Sequence, residues 1–321
     1  TSMRRSTAVC SCCAKYLIES ERKKLRSLET VAYHVSLLLP YVGSMALVDV
    51  CNDSLQPFID ERLDDDDVKP STVNRTLEVA RTIMNRAARL WRTNGKPWLA
   101  TAPLIEMLDE KATRRQPYPI TWQQQANVLP RLPVHLQRMV LFALNTGARD
   151  ANVCRLRWDW ERQLPELGRS VFVIPPAEFK TNRTHVLILN DAAWSVVQEC
   201  RGMHRDFVFT YRRERVKNLH LAPAMDYKPI ATMNNTAFQN ARSAAGLERM
   251  RVHDLRHTFV VRRIVQWQAQ NVDIDEAMLS LSTYVGHAMV TNTYWYLQAV
   301  PELMAVAAQR FESCMPELNH G

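Results

Sequence analysis

Apolar residues recur three and four apart from Leu28 to Leu39 and again from Leu77 to Trp91, so the stretch from about Leu25 to Trp91 reads as helical. The acidic run Asp64 to Asp67 falls between these helices. Followed by Pro70 and Ser71, a turn and a helix N-cap, it reads as a solvated loop rather than a metal-binding one. Projection of the helix from Thr72 to Trp91 places Arg75, Arg86 and Arg89 on one stripe, with Leu77, Ile83, Ala87, Leu90 and Trp91 on the other side. The apolar side is predicted to pack inward. The arginine stripe then faces out, where it can follow a phosphate backbone or remain an ordinary solvated face.

The periodicity loosens between Thr93 and Thr121, around Gly95, Pro97, Pro103, Pro117, Pro119 and the basic pair Arg114 and Arg115, which predicts a linker near residues 110–118. Beyond it come a helix at Val134 to Leu144, strand-like runs Ser170 to Ile174 and His185 to Leu189, and then mainly helices. The expected fold class is mainly α with a small β-sheet. A chain of 321 residues accommodates two cores. The expected division is a flexible N-terminal tail over 1–20, a helical domain over 21–112 and an α+β domain over 113–321. No internal repeat or low-complexity tract is evident.

Charge adds a partner class. Forty-one Lys and Arg against 33 Asp and Glu leave +8, so the surface attracts polyanions, nucleic acid first among them, although a basic but unspecialised protein carries the same balance. The seven cysteines, Cys10, Cys12, Cys13, Cys51, Cys154, Cys200 and Cys314, show no paired framework and read as reduced thiols. Cys10, Cys12 and Cys13 lack the gaps that let two thiolates share a tetrahedral zinc, and are expected in the tail. No apolar stretch approaches the roughly 20 residues that span a bilayer, and no signal-peptide core is evident, so a soluble cytoplasmic protein with no membrane partner is expected. The chain opens on Thr1 rather than methionine, which leaves room for an upstream segment.

Four separated segments carry candidate chemistry. In Asn145-Thr146-Gly147-Ala148-Arg149, Gly147 ends an apolar helix and Arg149 starts the next, as a held arginine or a plain surface one. From Ile174 to Leu189, two strands joined through Pro175, Pro176 and Lys180 form a hairpin whose lysine either reaches into a groove or only solubilises. His253-Asp254-Leu255-Arg256-His257-Thr258 opens a helix running to about Gln268, with His253, Arg256 and His257 on one face. Two histidines four apart also suit zinc, but a guanidinium between them repels a dication. Gly286-His287 is followed by Thr293-Tyr294-Trp295-Tyr296-Leu297, where Tyr294 and Tyr296 point to nearly opposite sides of a helix, so one at most enters a pocket. An aromatic pair in a core and at its edge is the alternative.

The order and spacing of these motifs resembles the tyrosine recombinase family, also called phage integrases, from about residue 20 to 312, with Thr72-Val73-Asn74-Arg75 looking like the family's core-binding domain. The resemblance implies a helical core-binding domain, Arg75, Arg86, Arg89, Arg114 and Arg115 as DNA contacts, and an α+β catalytic domain. In that domain Arg149, Lys180, His253, Arg256, His287 and Tyr296 match the catalytic set. Arg183 is the fallback for the lysine and Tyr294 for the nucleophile. Tyr296 would attack a scissile phosphate, leaving a 3′-phosphotyrosyl link and a free 5′-hydroxyl, with no metal, nucleotide or other cofactor. Only about one phenol in a thousand is ionised at neutral pH, so activation by Arg149 and Arg256 is expected. Lys180 would be the acid for the leaving oxygen, His253 would assist proton transfer at the tyrosine, and His287 would bind the phosphate.

The implied partner is double-stranded DNA carrying specific recombination sites, encircled by two linked domains and worked on by a homotetramer on paired sites, in a bacterial or phage setting. After Pro301, Leu303, Met304, Ala307, Ala308 and Phe311 form a stripe that docks on a neighbouring subunit or on its own domain. One position departs from the pattern. Three residues after the first arginine the family usually carries an acid that braces the site, and this chain has Asn152. Site-specific recombination is the expected function. A type IB topoisomerase or telomere resolvase shares the chemistry, a DNA-binding protein with decayed catalysis follows from Asn152, and a metallohydrolase on His253, His257 and His287 is the remote alternative.

Overall fold

A computed structural model describes residues 8–113, 115–212, 227–270 and 272–299. The chain divides into two compact units, Thr1–Arg115 and Gln116–Gly321. The break falls three residues beyond the expected one.

The first unit is helical: α1 (Val9–Arg22), α2 (Leu28–Val42), α3 (Asn52–Asp60) and α4 (Pro70–Arg89), then a minimal hairpin of β1 (Arg92–Thr93) and β2 (Lys96–Pro97). The expected tail over residues 1–20 is corrected from Val9 onward. Val9, Cys12, Cys13 and Tyr16 recur at helical spacing, all buried, and join one core with Val35 and Leu38 of α2 and Leu77 and Ile83 of α4. Cys12 and Cys13 act as small apolar residues, a use that cysteine shares with alanine and valine. Burial pushes both thiols up to about 11, so they stay protonated at neutral pH.

Helix α4 starts two residues earlier than expected, with Lys69 as N-cap and Pro70 at the first helical position, where its missing N–H costs nothing. The acidic run is not wholly a loop, because Glu61–Asp65 continues α3 as a π-helical turn. The apolar face of α4 is buried as expected except at Leu90, which follows the helix end and is 64% exposed. Arg75 and Arg89 are exposed. Arg86 departs from the expected outward stripe: its guanidinium bonds Glu19 of α1 at 2.9 Å and lies over the Tyr16 ring, while the Trp91 indole N–H donates to the same carboxylate at 2.8 Å. Arg115 is exposed, and Arg114 lies outside the described residues.

The second unit opens with α5 (Trp122–Val128), α6 (Val134–Thr146) and α7 (Asp150–Cys154). An antiparallel sheet follows in the order β3 (Glu161–Leu164), β4 (Arg169–Ile174), β5 (His185–Leu187), with Phe172 opposite Leu187 and Ile174 opposite His185. The edge strand β3 was not expected from the sequence, because Glu-Arg-Gln-Leu has neither β-branched residues nor a clean alternation. Then come α8 (Asp191–Glu199), the paired β6 (Thr210–Arg212) and β7 (Tyr227–Pro229), α9 (Thr236–Ala244), α10 (Val252–Ala269), α11 (Ile274–Val285) and α12 (Thr291–Ala299). Every residue of α10 from Asp254 to Val261 is buried, which makes this helix the axis on which the others pack. The apolar stripe after Pro301 lies outside the described residues. No helix among the described residues is long and apolar enough to cross a membrane.

Candidate active site

Two left-handed glycines shape the site. Gly147 caps α6 at φ 65°, and a Cβ there would sit 2.6 Å from the Phe259 ring of α10. The turn it permits delivers Arg149 to the N-cap of α7 in extended conformation. Gly286 caps α11 at φ 67°, where a Cβ would lie 2.5 Å from Phe179 and 3.0 Å from His185. The strain of a positive φ and the lack of space both demand glycine here.

These turns supply acceptors for two arginines. Arg149 donates to the Gly286 carbonyl at 3.2 Å and lies over the Phe179 ring, while Arg256 donates to the Gly147 carbonyl at 2.7 Å. Both also line one small cavity with Asn152, Phe179 and His185. Arg149 Nη1 and Arg256 Nη2 are buried with no hydrogen-bond partner. Burial, and then the charge of Arg149, pull Arg256 down to about 9, and burial likewise depresses Arg149. Guanidinium groups so placed remain cationic at neutral pH.

The imidazoles around them are kept neutral. Burial, then Arg256 and Arg149, bring His287 down to about 3; its Nδ1 lies 2.7 Å from the Thr293 hydroxyl. His185, which opens β5 and stacks on Phe179, is brought to about 4 by burial and the same arginines in the opposite order. His253 has one side open to solvent, yet lost hydration and the charges of Arg256 and Arg251 also bring it to about 4. It meets His257 edge to face, with 4.7 Å between ring centroids.

On α12 the two tyrosines diverge. Tyr294 donates to Asp275 at 3.0 Å, whereas Tyr296 is 2% exposed and its hydroxyl lies 2.6 Å from His257 Nδ1. Burial pushes the Tyr296 phenol up to about 12, outweighing Arg256 and Arg149, which pull it down. The two arginines therefore act in the expected direction, and burial opposes them.

Of the residues expected at the site, Arg149, Arg256, His253, His287 and Tyr296 come from four elements to one region. Lys180 and Arg183 are exposed on the connection between β4 and β5. Buried Asn152 donates to the Glu178 carbonyl at 3.3 Å and so braces that same connection. Two neighbours were not assigned from sequence. His257, considered only as a zinc ligand, is the imidazole at the Tyr296 hydroxyl, where His253 was expected. His185 passed as a strand residue, although its alternation with Leu187 and Leu189 marks an inward position. Among the described residues no three His, Cys, Asp or Glu side chains converge to hold a metal ion.

A model described as the phage integrase family matches residues 123–302. The integrase of Salmonella phage P22 is 26% identical over 255 residues, covering 76% of this chain and 59% of that protein, so this chain spans about three fifths of the length of that relative. Among solved structures, a lambda integrase dimer bound to a COC′ core site superposes with a TM-score of 0.61 at 14% identity, covering 91% of this chain and 77% of the other. The Tn1549 transposon integrase in complex with a circular intermediate DNA gives 0.61 at 15% identity, covering 95% and 100%. The architecture described above is therefore the fold of these integrases.

Proposed function

Because this chain belongs to the phage integrase family, we propose that it is a site-specific DNA recombinase in which Tyr296 attacks a scissile phosphate and holds one DNA end as a 3′-phosphotyrosyl link. The observation that carries this is the pair of buried guanidinium nitrogens, Arg149 Nη1 and Arg256 Nη2, left without partners beside a buried tyrosine. Each unpaired buried donor costs about 1–3 kcal/mol, more when charged. A phosphodiester brings one negative charge and two non-bridging oxygens, which satisfy both nitrogens and offset the repulsion between the cations.

The remaining members fit around that phosphate. With His287 Nδ1 accepting from the Thr293 hydroxyl, its Nε2–H is free to donate to a non-bridging oxygen. Lys180, exposed on the connection between β4 and β5, is the acid for the leaving 5′-oxygen. Ester exchange conserves the bond energy, so a second 5′-hydroxyl reseals the strand without ATP. Exchange between two duplexes needs four strand cuts and one tyrosine for each, which favours a homotetramer on paired sites. Exposed Arg75, Arg89 and Arg115 are suited to backbone phosphates, giving binding that weakens with salt. Arg86 is withdrawn from that set by Glu19.

A pool of nicked duplexes, enriched by capture of protein–DNA adducts that survive denaturant and EDTA, tests the proposal. Wild type and Tyr294→Phe should yield adducts and Tyr296→Phe none; the reverse pattern removes Tyr296 as nucleophile. Recombination between two selected sites, compared with relaxation of a plain supercoiled plasmid, then separates a recombinase from a topoisomerase.

A further inference from the structure

Resting on the phosphotyrosyl reading above, we propose that His257 is the base that takes the Tyr296 proton, a role the family resemblance had given to His253. Helix α10 carries both histidines one turn apart, but only His257 reaches the nucleophile. Its Nδ1 stands 2.6 Å from the phenol oxygen, and both side chains are buried, so the proton crosses one short bond with no intervening water. On the opposite edge of the ring, Nε2 lies 3.9 Å from an oxygen of Asp254, which is fully buried. That carboxylate is already fixed by the Arg251 backbone N–H, the Arg251 guanidinium and the Tyr118 N–H. It sits too far from Nε2 for a hydrogen bond, but its charge favours an imidazolium over a neutral ring. The Trp295 ring closes another side, and His253 meets the His257 ring edge to face.

The protonation states agree with this geometry. Burial, then His253, brings His257 down to about 4, so the ring is neutral at working pH and free to accept at Nδ1. Burial keeps the phenol protonated. The phenol therefore donates to Nδ1, and Nε2 carries the ring hydrogen toward Asp254. With the two groups so far apart in proton affinity, the proton does not leave ahead of attack. It moves as the phenol oxygen bonds to phosphorus and loses its basicity, which is general-base catalysis.

In the step, the O–H bond of Tyr296 breaks and its proton goes to His257 Nδ1. The freed electron pair forms the bond to phosphorus, the bond from phosphorus to the 5′-oxygen breaks, and that oxygen takes a proton from Lys180. Resealing runs the same transfers backward, with the imidazolium returning its proton to the departing phenolate. His253 then serves as a neighbour that sets the His257 ring, a positioning residue.

Single-turnover cleavage of the selected nicked duplex, made with oxygen or with sulfur at the bridging 5′ position, tests the assignment. A sulfur leaving group needs no acid, so it rescues the loss of an acid and does nothing for the loss of a base. His257→Ala is expected to slow cleavage about 10²-fold or more on both substrates, with partial recovery in added imidazole. His257→Gln, which fills the same space, should be equally slow, and denaturant unfolding of both variants checks that the fold persists. Oxygen-substrate cleavage at the wild-type rate in either folded variant overturns the assignment. So does recovery on sulfur alone, which moves His257 to the leaving group. A wild-type protein that traps no adduct overturns the phosphotyrosyl reading itself, and His257 with it.

Discussion

Arg86 in the helical unit and Arg149 and Arg256 in the second unit are all withdrawn from solvent, yet their surroundings differ. Arg86 has a carboxylate, Glu19, and an aromatic face, Tyr16. Arg149 and Arg256 have backbone carbonyls, each other's charge and one unpartnered nitrogen apiece. A buried cation with its own anion holds helices together. A buried pair without one is what the proposed function reads as a site for an anion, because the fold alone gains nothing from like charges facing the same small cavity. On the proposed function, the surroundings, and not the residue type, separate structural from functional arginines here.

The contrast can be broken most directly at Arg149. Arg149→Met should lower the rate of adduct formation by about 10³-fold. The DNA-free protein should lose less than about 1 kcal/mol in urea unfolding, since a buried charge replaced by an apolar side chain of similar length is often neutral. A large loss of stability would put Arg149 in the class of Arg86.

Acid should expose the same asymmetry. His185 and His257 titrate near 4 in the native site against 6.5 ordinarily, through burial first in both cases. Between those values the unfolded chain binds protons that the native one refuses, so stability is full above pH 6.5 and falls as the pH drops toward 4. The slope is at most about 1.4 kcal/mol per pH unit for each histidine. Urea unfolding across this range should show it, and replacing both histidines by Asn should reduce it, the remainder coming from His253 and His287, which are depressed in the same site; an unchanged slope would place the acid sensitivity in those two or in His34 of the helical unit, also depressed by burial.

The smallest effect is expected at Arg86. Arg86→Met should cost about 1–2 kcal/mol of stability through the lost bond to Glu19. Single-turnover cleavage at saturating enzyme should be unchanged. A change in cleavage rate would return Arg86 to the DNA-contacting set.

Several features were legible before the structure. Periodicity located α2, α4 and α6, and Gly147 marked a helix end that the structure places in left-handed conformation, as it also does Gly286. The resemblance put Tyr296 in the nucleophile's place with Tyr294 as fallback, and the structure buries Tyr296 against His257 while Tyr294 donates to Asp275. Helix α1 was illegible because three of its first five residues are cysteines, whose chemistry suggested a tail where their size only fills a core. Strand β3 was illegible because its pairing with β4, and not its own residues, makes it a strand. Leu90 was misjudged because a helical projection continues past the point where the helix ends.

By itself, then, the sequence determined which residue types stand in which order and at which intervals, and through the family resemblance that order nominated two arginines, a lysine, two histidines and a tyrosine, because order and spacing along the chain are local properties. What only the tertiary structure decided is which groups touch. His253 and His257 are equivalent on a helical wheel, and Arg86 is equivalent to Arg89. Packing against α12 sets His257 beside the Tyr296 hydroxyl. Packing of α1 against α4 gives Arg86 to Glu19. Proton transfer and ion pairing act over single bond lengths, and such distances arise only where segments distant in the chain meet.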